Sequence, residues 1–186
     1  MASDMSAPAS PLTIRRAEPG DYAAVGSMLV SAYAALPGMP SPQEQPGYYS
    51  MLADVAGRAA RPSLTVFVAS DEAGRLLGSI DFIDDMRHYG SGGPASTVTD
   101  AAGVRLLAVT EAARGKGIGQ ALTRHCIARA REAGKARIVL HTTKVMQAAW
   151  AMYERLGFIR FPDIDFRQGT LDVFGSQLGL SDRGAS

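Results

Sequence analysis

Arg114, Gly115, Lys116, Gly117 and Gly119 gather two basic side chains and three glycines just ahead of a run in which Ile118, Leu122, Cys126 and Ala130 recur at helical spacing. Residues of these types in this order suit an anion. Glycine removes side chains where a ligand must approach the backbone, and the first turn of a helix carries N–H groups without intrahelical partners. Those donors, the positive end of the helix dipole and the two cationic side chains together fit a phosphate group. With the apolar run 106–109 and the polar bend at Thr110 and Glu111 before it, the segment reads as strand, anion-binding turn and helix.

The glycine spacing excludes two familiar phosphate loops. A Walker A loop needs Ser or Thr after its lysine, and Gly117 follows Lys116; the dinucleotide fingerprint needs a further glycine where Gln120 stands. What remains is Arg-x-x-Gly-x-Gly, as Arg114, Gly117 and Gly119, and alone it fits a glycine-rich surface turn before an ordinary helix equally well. About thirty residues on comes Ala149-x-x-x-Tyr153-Glu154-Arg155-x-Gly157-Phe158. This pair of motifs, in this order and at this separation, resembles the GNAT superfamily of acyl-CoA-dependent N-acetyltransferases. That family carries Gln/Arg-x-x-Gly-x-Gly/Ala opening a helix, then Ala-x-x-x-Tyr-Glu-Lys/Arg-x-Gly-Phe. With the strand between them the motifs span residues 104–161.

The resemblance implies an acyltransferase that moves an acetyl group from acetyl-CoA, as co-substrate and without a metal, to a primary amine of a small molecule or peptide by direct attack on the thioester. It assigns Arg114, Gly115, Lys116, Gly117, Ile118, Gly119 and Gln120 to the pyrophosphate, and the backbone of Leu107, Ala108 and Val109 to the pantetheine arm and thioester. An N–H near Val109 becomes the oxyanion donor. Tyr153 becomes the general acid, since a phenol with an ordinary pKa near 10 stays protonated at neutral pH; as an isolated residue on an apolar helix face it would instead be packing. His141 is the candidate general base. It lies twelve residues before Tyr153, where GNAT enzymes acting on protein N-termini carry a glutamate, and the plain alternative is a half-buried histidine satisfied by a backbone partner. His125 and His88 are weaker candidates. One departure is Met146, which stands where the family often has a cofactor-contacting asparagine; that contact is lost or passes to Gln147. A second reading is a regulatory module that holds acetyl-CoA without efficient turnover, and the retained Tyr153 favours the enzyme.

The elements that must position these groups follow from periodicity and turn chemistry. A first strand over 12–15 precedes a helix capped by Asp21 and carrying Tyr22, Val25, Met28, Leu29 and Tyr33. Four prolines make 37–46 a stiff loop before a helix over 48–60, whose Tyr48, Tyr49 and Leu52 either enter the core or wall a pocket. Residues 64–70 and 76–83 form a hairpin, and the long segment 84–99, with His88 and Tyr89, either covers an acceptor site or is a flexible hairpin tip. Strands over 104–109, 137–142, 158–161 and 170–178 alternate with helices ended by Gly134 and Gly157. Interleaved strands and helices give α/β, or α+β in stricter terms. The resemblance adds a mixed, mostly antiparallel sheet of six to seven strands flanked by about four helices, splayed between strands four and five.

At 186 residues, with 46% apolar and 20% charged residues, the chain is expected to be a single domain over 12–180, with a disordered leader over 1–11 and a short tail over 181–186. Nineteen Lys and Arg against eighteen Asp and Glu leave no field to attract nucleic acid or an anionic membrane. One cysteine excludes an internal disulfide, no stretch is long and apolar enough to span a bilayer, and the amino-terminal residues lack the basic start and apolar core of a secretory signal. A cytoplasmic monomer or homodimer is expected.

Overall fold

The computed structural model describes residues 11–180; the tail expected over 181–186 lies outside them, as does all of the expected leader except Pro11. Strands β1 (Thr13–Arg16), β2 (Leu64–Ser70), β3 (Leu76–Ile83), β4 (Ala101–Val109), β5 (Arg137–Thr142), β6 (Ile159–Arg160), β7 (Phe166–Gln168) and β8 (Leu171–Gly179) are joined in one sheet of order β1-β2-β3-β4-β5-β8-β6, with β7 pairing β8. All pairs are antiparallel except β4 with β5. Helices α1 (Tyr22–Ala34), α2 (Pro46–Ala53) and α3 (Val55–Ala59) cover one face, and α4 (Ile118–Glu132) and α5 (Gln147–Arg155) cover the other.

The two covered faces explain why β2 has no polar side. Val66 and Val68 pack toward α1, whereas Phe67 and Ala69, half a pleat away, pack toward α4 with Leu122, Cys126 and Ile127. The hairpin matches its expected bounds because its turn is chemically specified: the Asp71 carboxylate accepts the N–H groups of Ala73 and Arg75, and Gly74 takes φ +77°.

Three expectations are corrected. Asp21 does not cap α1 with its side chain, because its carboxylate is taken by Nη1 and Nη2 of Arg15, at 2.7 and 3.0 Å, and by the Glu18 N–H. The helix expected over 48–60 is two helices, since Asp54 leaves helical geometry (ψ 69°) and its carboxylate accepts the Gly57 N–H to start α3. The sheet has one strand more than expected: β7 is only three residues long, too short to show as a period in the sequence.

β4 and β5 pair in parallel at only three positions, Ala101–Arg137, Ala102–Ile138 and Gly103–Val139. Beyond Gly103 they part. An extra residue on β4 shifts its register with β3 between Asp81–Arg105 and Ser79–Ala108, and Leu106 takes φ +52° to accommodate it. A left-handed conformation costs a leucine about 1–2 kcal/mol, so the bulge is a strained feature that the surrounding packing holds in place. No helix among the described residues is long and apolar enough to cross a membrane.

Candidate active site

The gap between β4 and β5 has a wedge in it. Tyr89, from the long β3–β4 connection, is 1% exposed; its hydroxyl donates to the Val104 carbonyl of β4 at 3.2 Å, and its ring centre lies 5.5 Å from that of His141 on β5. A Cβ on Gly103 would lie 2.6 Å from the Tyr89 ring, so only glycine leaves room for the wedge where the strands separate. The connection is therefore packed by Tyr89 and does not behave as a free hairpin tip; two 3-10 turns, Met86–His88 and Gly93–Thr97, shape it. His88 is exposed.

Past the wedge, the register sets which backbone groups face the gap. The Thr110 N–H donates to the Leu77 carbonyl at 2.8 Å, which makes the neighbouring Val109–Gly78 couple a non-hydrogen-bonded pair. In such a pair the N–H and C=O point away from the partner strand, so those of Val109 point away from β3, into the open side. Leu107 and Val109 flank Gly119 at the start of α4: their side chains lie 3.5 and 3.7 Å from where its Cβ would be, with the Met152 sulfur at 3.6 Å. The start of α4 therefore lies directly against the β4 segment that has parted from β5.

At the turn, Gly115 (φ +73°) and Gly117 (φ +78°) take left-handed conformations, and a Cβ at either would find nothing within 4 Å. Gly117 is the N-cap of α4 and offers no side chain to the first-turn N–H groups, and the Gln120 amide oxygen turns to the Arg124 guanidinium instead of capping. Arg114 and Lys116 are exposed and form no salt bridge among the described residues. Open backbone donors, a helix N-terminus and two unpaired cations fit a diphosphate.

Tyr153 and His141 reach the same cleft from α5 and β5. A cavity of about 110 Å³ is lined by Tyr48, Arg105, Leu107, His141 and Tyr153, among others; a second cavity, of about 230 Å³, lies on the other side of Tyr153 beside Thr142, Trp150 and Ser176. Burial, with smaller contributions from Tyr89 and Cys126, pushes the Tyr153 hydroxyl's pKa well above the ordinary phenol value, so it is a proton donor throughout the neutral range. His141 stands between the rings of Tyr89 (5.5 Å) and Phe166 (5.1 Å). Its Nε2 lies 2.7 Å from the Ile164 carbonyl, which fixes the proton there and leaves Nδ1 as a buried lone pair without a protein partner. Burial is the largest influence on its pKa and lowers it, the Arg105 guanidinium lowers it further, and the imidazole is neutral at pH 7.

The remaining sequence candidates separate clearly. His125 lies half-buried on α4 with its ring 4.6 Å from Phe67, and it does not line the cleft. Met146 precedes α5 and lines the cleft, while the Gln147 amide nitrogen donates to the Lys144 carbonyl of its own turn. Tyr49 and Leu52 are core residues; Tyr48 lines the cleft, and burial pushes its pKa up to about 12. Sequence reasoning misses Arg105, although a guanidinium in the middle of an otherwise apolar strand is a signal in plain view.

A family model described as the acetyltransferase (GNAT) family matches residues 28–158. Among solved structures, an acetyltransferase of the GNAT family from Staphylococcus aureus Mu50 superposes with a TM-score of 0.69 at 16% identity, over 92% of this chain and 100% of that one. The yncA protein of Salmonella typhimurium, solved with acetyl-CoA as its cofactor, gives 0.62 at 23% identity over 95% and 98%. A spermidine N-acetyltransferase from Vibrio cholerae, solved with CoA and spermine, gives 0.61 at 18% identity over 91% and 96%. No curated protein matches the chain by sequence.

Proposed function

The chain belongs to the GNAT acetyltransferase family, and on that premise we propose that it is an N-acetyltransferase, passing an acetyl group from acetyl-CoA to a primary amine of a small molecule or peptide. The observation that carries this reading is the open β4–β5 gap, with an outward Val109 N–H, the uncapped start of α4 packed beside it, and Tyr153 and His141 lining one cleft. Acetyl-CoA supplies an activated acyl group as a thioester.

In this reading the N–H groups of residues 117–120, with Arg114 and Lys116, hold the diphosphate, and the backbone of Leu107, Ala108 and Val109 aligns the pantetheine arm. Attack by the amine nitrogen puts negative charge on the carbonyl oxygen, where the Val109 N–H donates. His141 Nδ1 accepts the proton released by the amine, its Nε2–H staying on the Ile164 carbonyl. As the carbon–sulfur bond breaks, the Tyr153 hydroxyl gives its proton to the sulfur, and water returns the His141 proton to Tyr153. A single buried cysteine suits a cytoplasmic location.

The experiment is an amine-panel acetylation screen with mass detection of products, alongside release of free CoA thiol. Amine-dependent release supports the transferase. Tight acetyl-CoA binding without release on any amine supports the regulatory module instead.

A further inference from the structure

The acceptor side of the cleft has a one-sided charge. Arg105 is the sole formally charged side chain among the described residues lining it, and no aspartate or glutamate takes part. Its Nη1 donates to the Tyr89 carbonyl at 3.0 Å and its guanidinium carbon lies 5.6 Å from the Tyr89 ring centre, but it forms no salt bridge. Arg61 approaches the same spot: the Nη1 atoms of Arg61 and Arg105 lie 3.3 and 3.5 Å from where a Gly90 Cβ would sit. Asp81, opposite Arg105 on β3, is 2% exposed and already bonded to Arg58 at 2.8 Å. Arg58 thus takes up that carboxylate, and the charges of Arg61 and Arg105 are left in excess.

This arrangement repels a polycation and leaves a guanidinium edge free for an anion. We propose that the acceptor is an amine that also carries a carboxylate, as a free amino acid does, and that Arg105 is the specificity-determining residue that receives it. Arg presents parallel N–H groups that match a carboxylate, and a partly buried pair is worth more than an exposed one. The rings of Tyr33, Tyr48, Tyr89 and Phe166 around the cleft then take an apolar side chain. The inference rests on the transferase reading and narrows its substrate class.

The test uses matched acceptors with acetyl-CoA: L-methionine, L-methioninamide and 3-(methylthio)propan-1-amine, with the corresponding phenylalanine and leucine sets. The expected result is a kcat/KM for the free acid roughly 10- to 100-fold above that for the amide in at least one set, the worth of one charge-assisted pair. Arg105→Gln collapses that ratio toward one, and Arg105→Lys, which keeps the charge but loses the parallel N–H pair, retains only part of it. An amide or amine that reacts as fast as the acid in all three sets overturns the inference while leaving the transferase intact, and so does a ratio that survives in Arg105→Gln. Should Arg105→Gln fail to fold, the wild-type and Arg105→Lys ratios decide. If no amine is acetylated, the transferase reading falls separately; equal broadening of acid and amide NMR lines by the CoA-loaded protein then overturns the carboxylate site as well.

Discussion

The Tyr89 hydroxyl and the Val104 carbonyl meet at 3.2 Å inside the sheet, where the neighbouring strand would otherwise have closed. The same ring lies 5.5 Å from that of His141 on β5, so one side chain fills the gap between the two strands. Tyr89→Phe removes the hydrogen bond to Val104 and keeps the ring, and is expected to cost about 1 kcal/mol. Tyr89→Ala leaves a void and is expected to cost about 3–5 kcal/mol, with a lower kcat as the strands lose their spacer. Urea unfolding with steady-state assays of both variants checks this. Equal loss in the two would show that the hydrogen bond to Val104, and not the ring, holds the gap.

Tyr153→Phe is expected to lower kcat by about 100-fold or more, the range for a lost general acid, with the affinity for acetyl-CoA nearly unchanged. Isothermal titration with CoA and steady-state turnover separate the two effects. Wild-type turnover in the variant would leave Tyr153 as packing.

Arg114→Ala with Lys116→Ala is expected to raise the Kd for acetyl-CoA by roughly 5- to 30-fold and to flatten its dependence on salt, since both cations are exposed and screened. Titrations between low and high ionic strength check it. An unchanged salt slope would place the diphosphate elsewhere.

His141 gives a pH dependence whose sign follows from its burial. The fold lowers its pKa below the ordinary 6.5 of histidine, so the neutral form is the stabilised one. Its contribution is complete above pH 6.5 and is lost as pH falls through the lowered value. Urea midpoints of the wild-type protein should drop more steeply below pH 6.5 than those of His141→Gln, and the acidic limb of the rate profile should vanish with His141→Ala. An acidic limb retained in His141→Ala would assign proton acceptance to water or another group.

Arg58 is 1% exposed and ties three elements: it donates to the Asp81 carboxylate of β3 and to the carbonyls of Met51 and Leu52 in α2. Arg58→Leu strands a buried carboxylate and is expected to cost about 3–5 kcal/mol, while Arg58→Leu with Asp81→Leu recovers much of the loss. Thermal melts of the single and double variants measure the difference. Additive losses would mean that Asp81 is held by other groups.

Local chemistry made much of this readable. The β2–β3 hairpin and β5 have the expected bounds because Asp71, Gly74 and Gly134 specify their flanks within a few residues. The glycine turn was legible for the same reason, since Gly115 and Gly117 need no distant partner to adopt positive φ. The rest depends on contacts far apart in the chain. Nothing near Tyr89 indicates that its hydroxyl meets Val104, fifteen residues on. Asp21 had a local role open to it, but Arg15 across the turn claimed its carboxylate. Asp54 breaks a helix whose apolar period continues through it, because the second segment finds its own cap there.

Three adjacent rungs, from Ala101–Arg137 to Gly103–Val139, are the only strand pairing between the first four strands and the last four among the described residues. They sit at one extremity of β4, and Val109 sits at the other, about 20 Å away at the rise of an extended chain. Over that lever a tilt of about 3° at the rungs would displace Val109 by roughly 1 Å, enough to change a reaction rate about a hundredfold. Ala102 and Ile138 are fully buried at these rungs, so a substitution that spreads them is expected to reach the far end of β4 without touching a reacting atom.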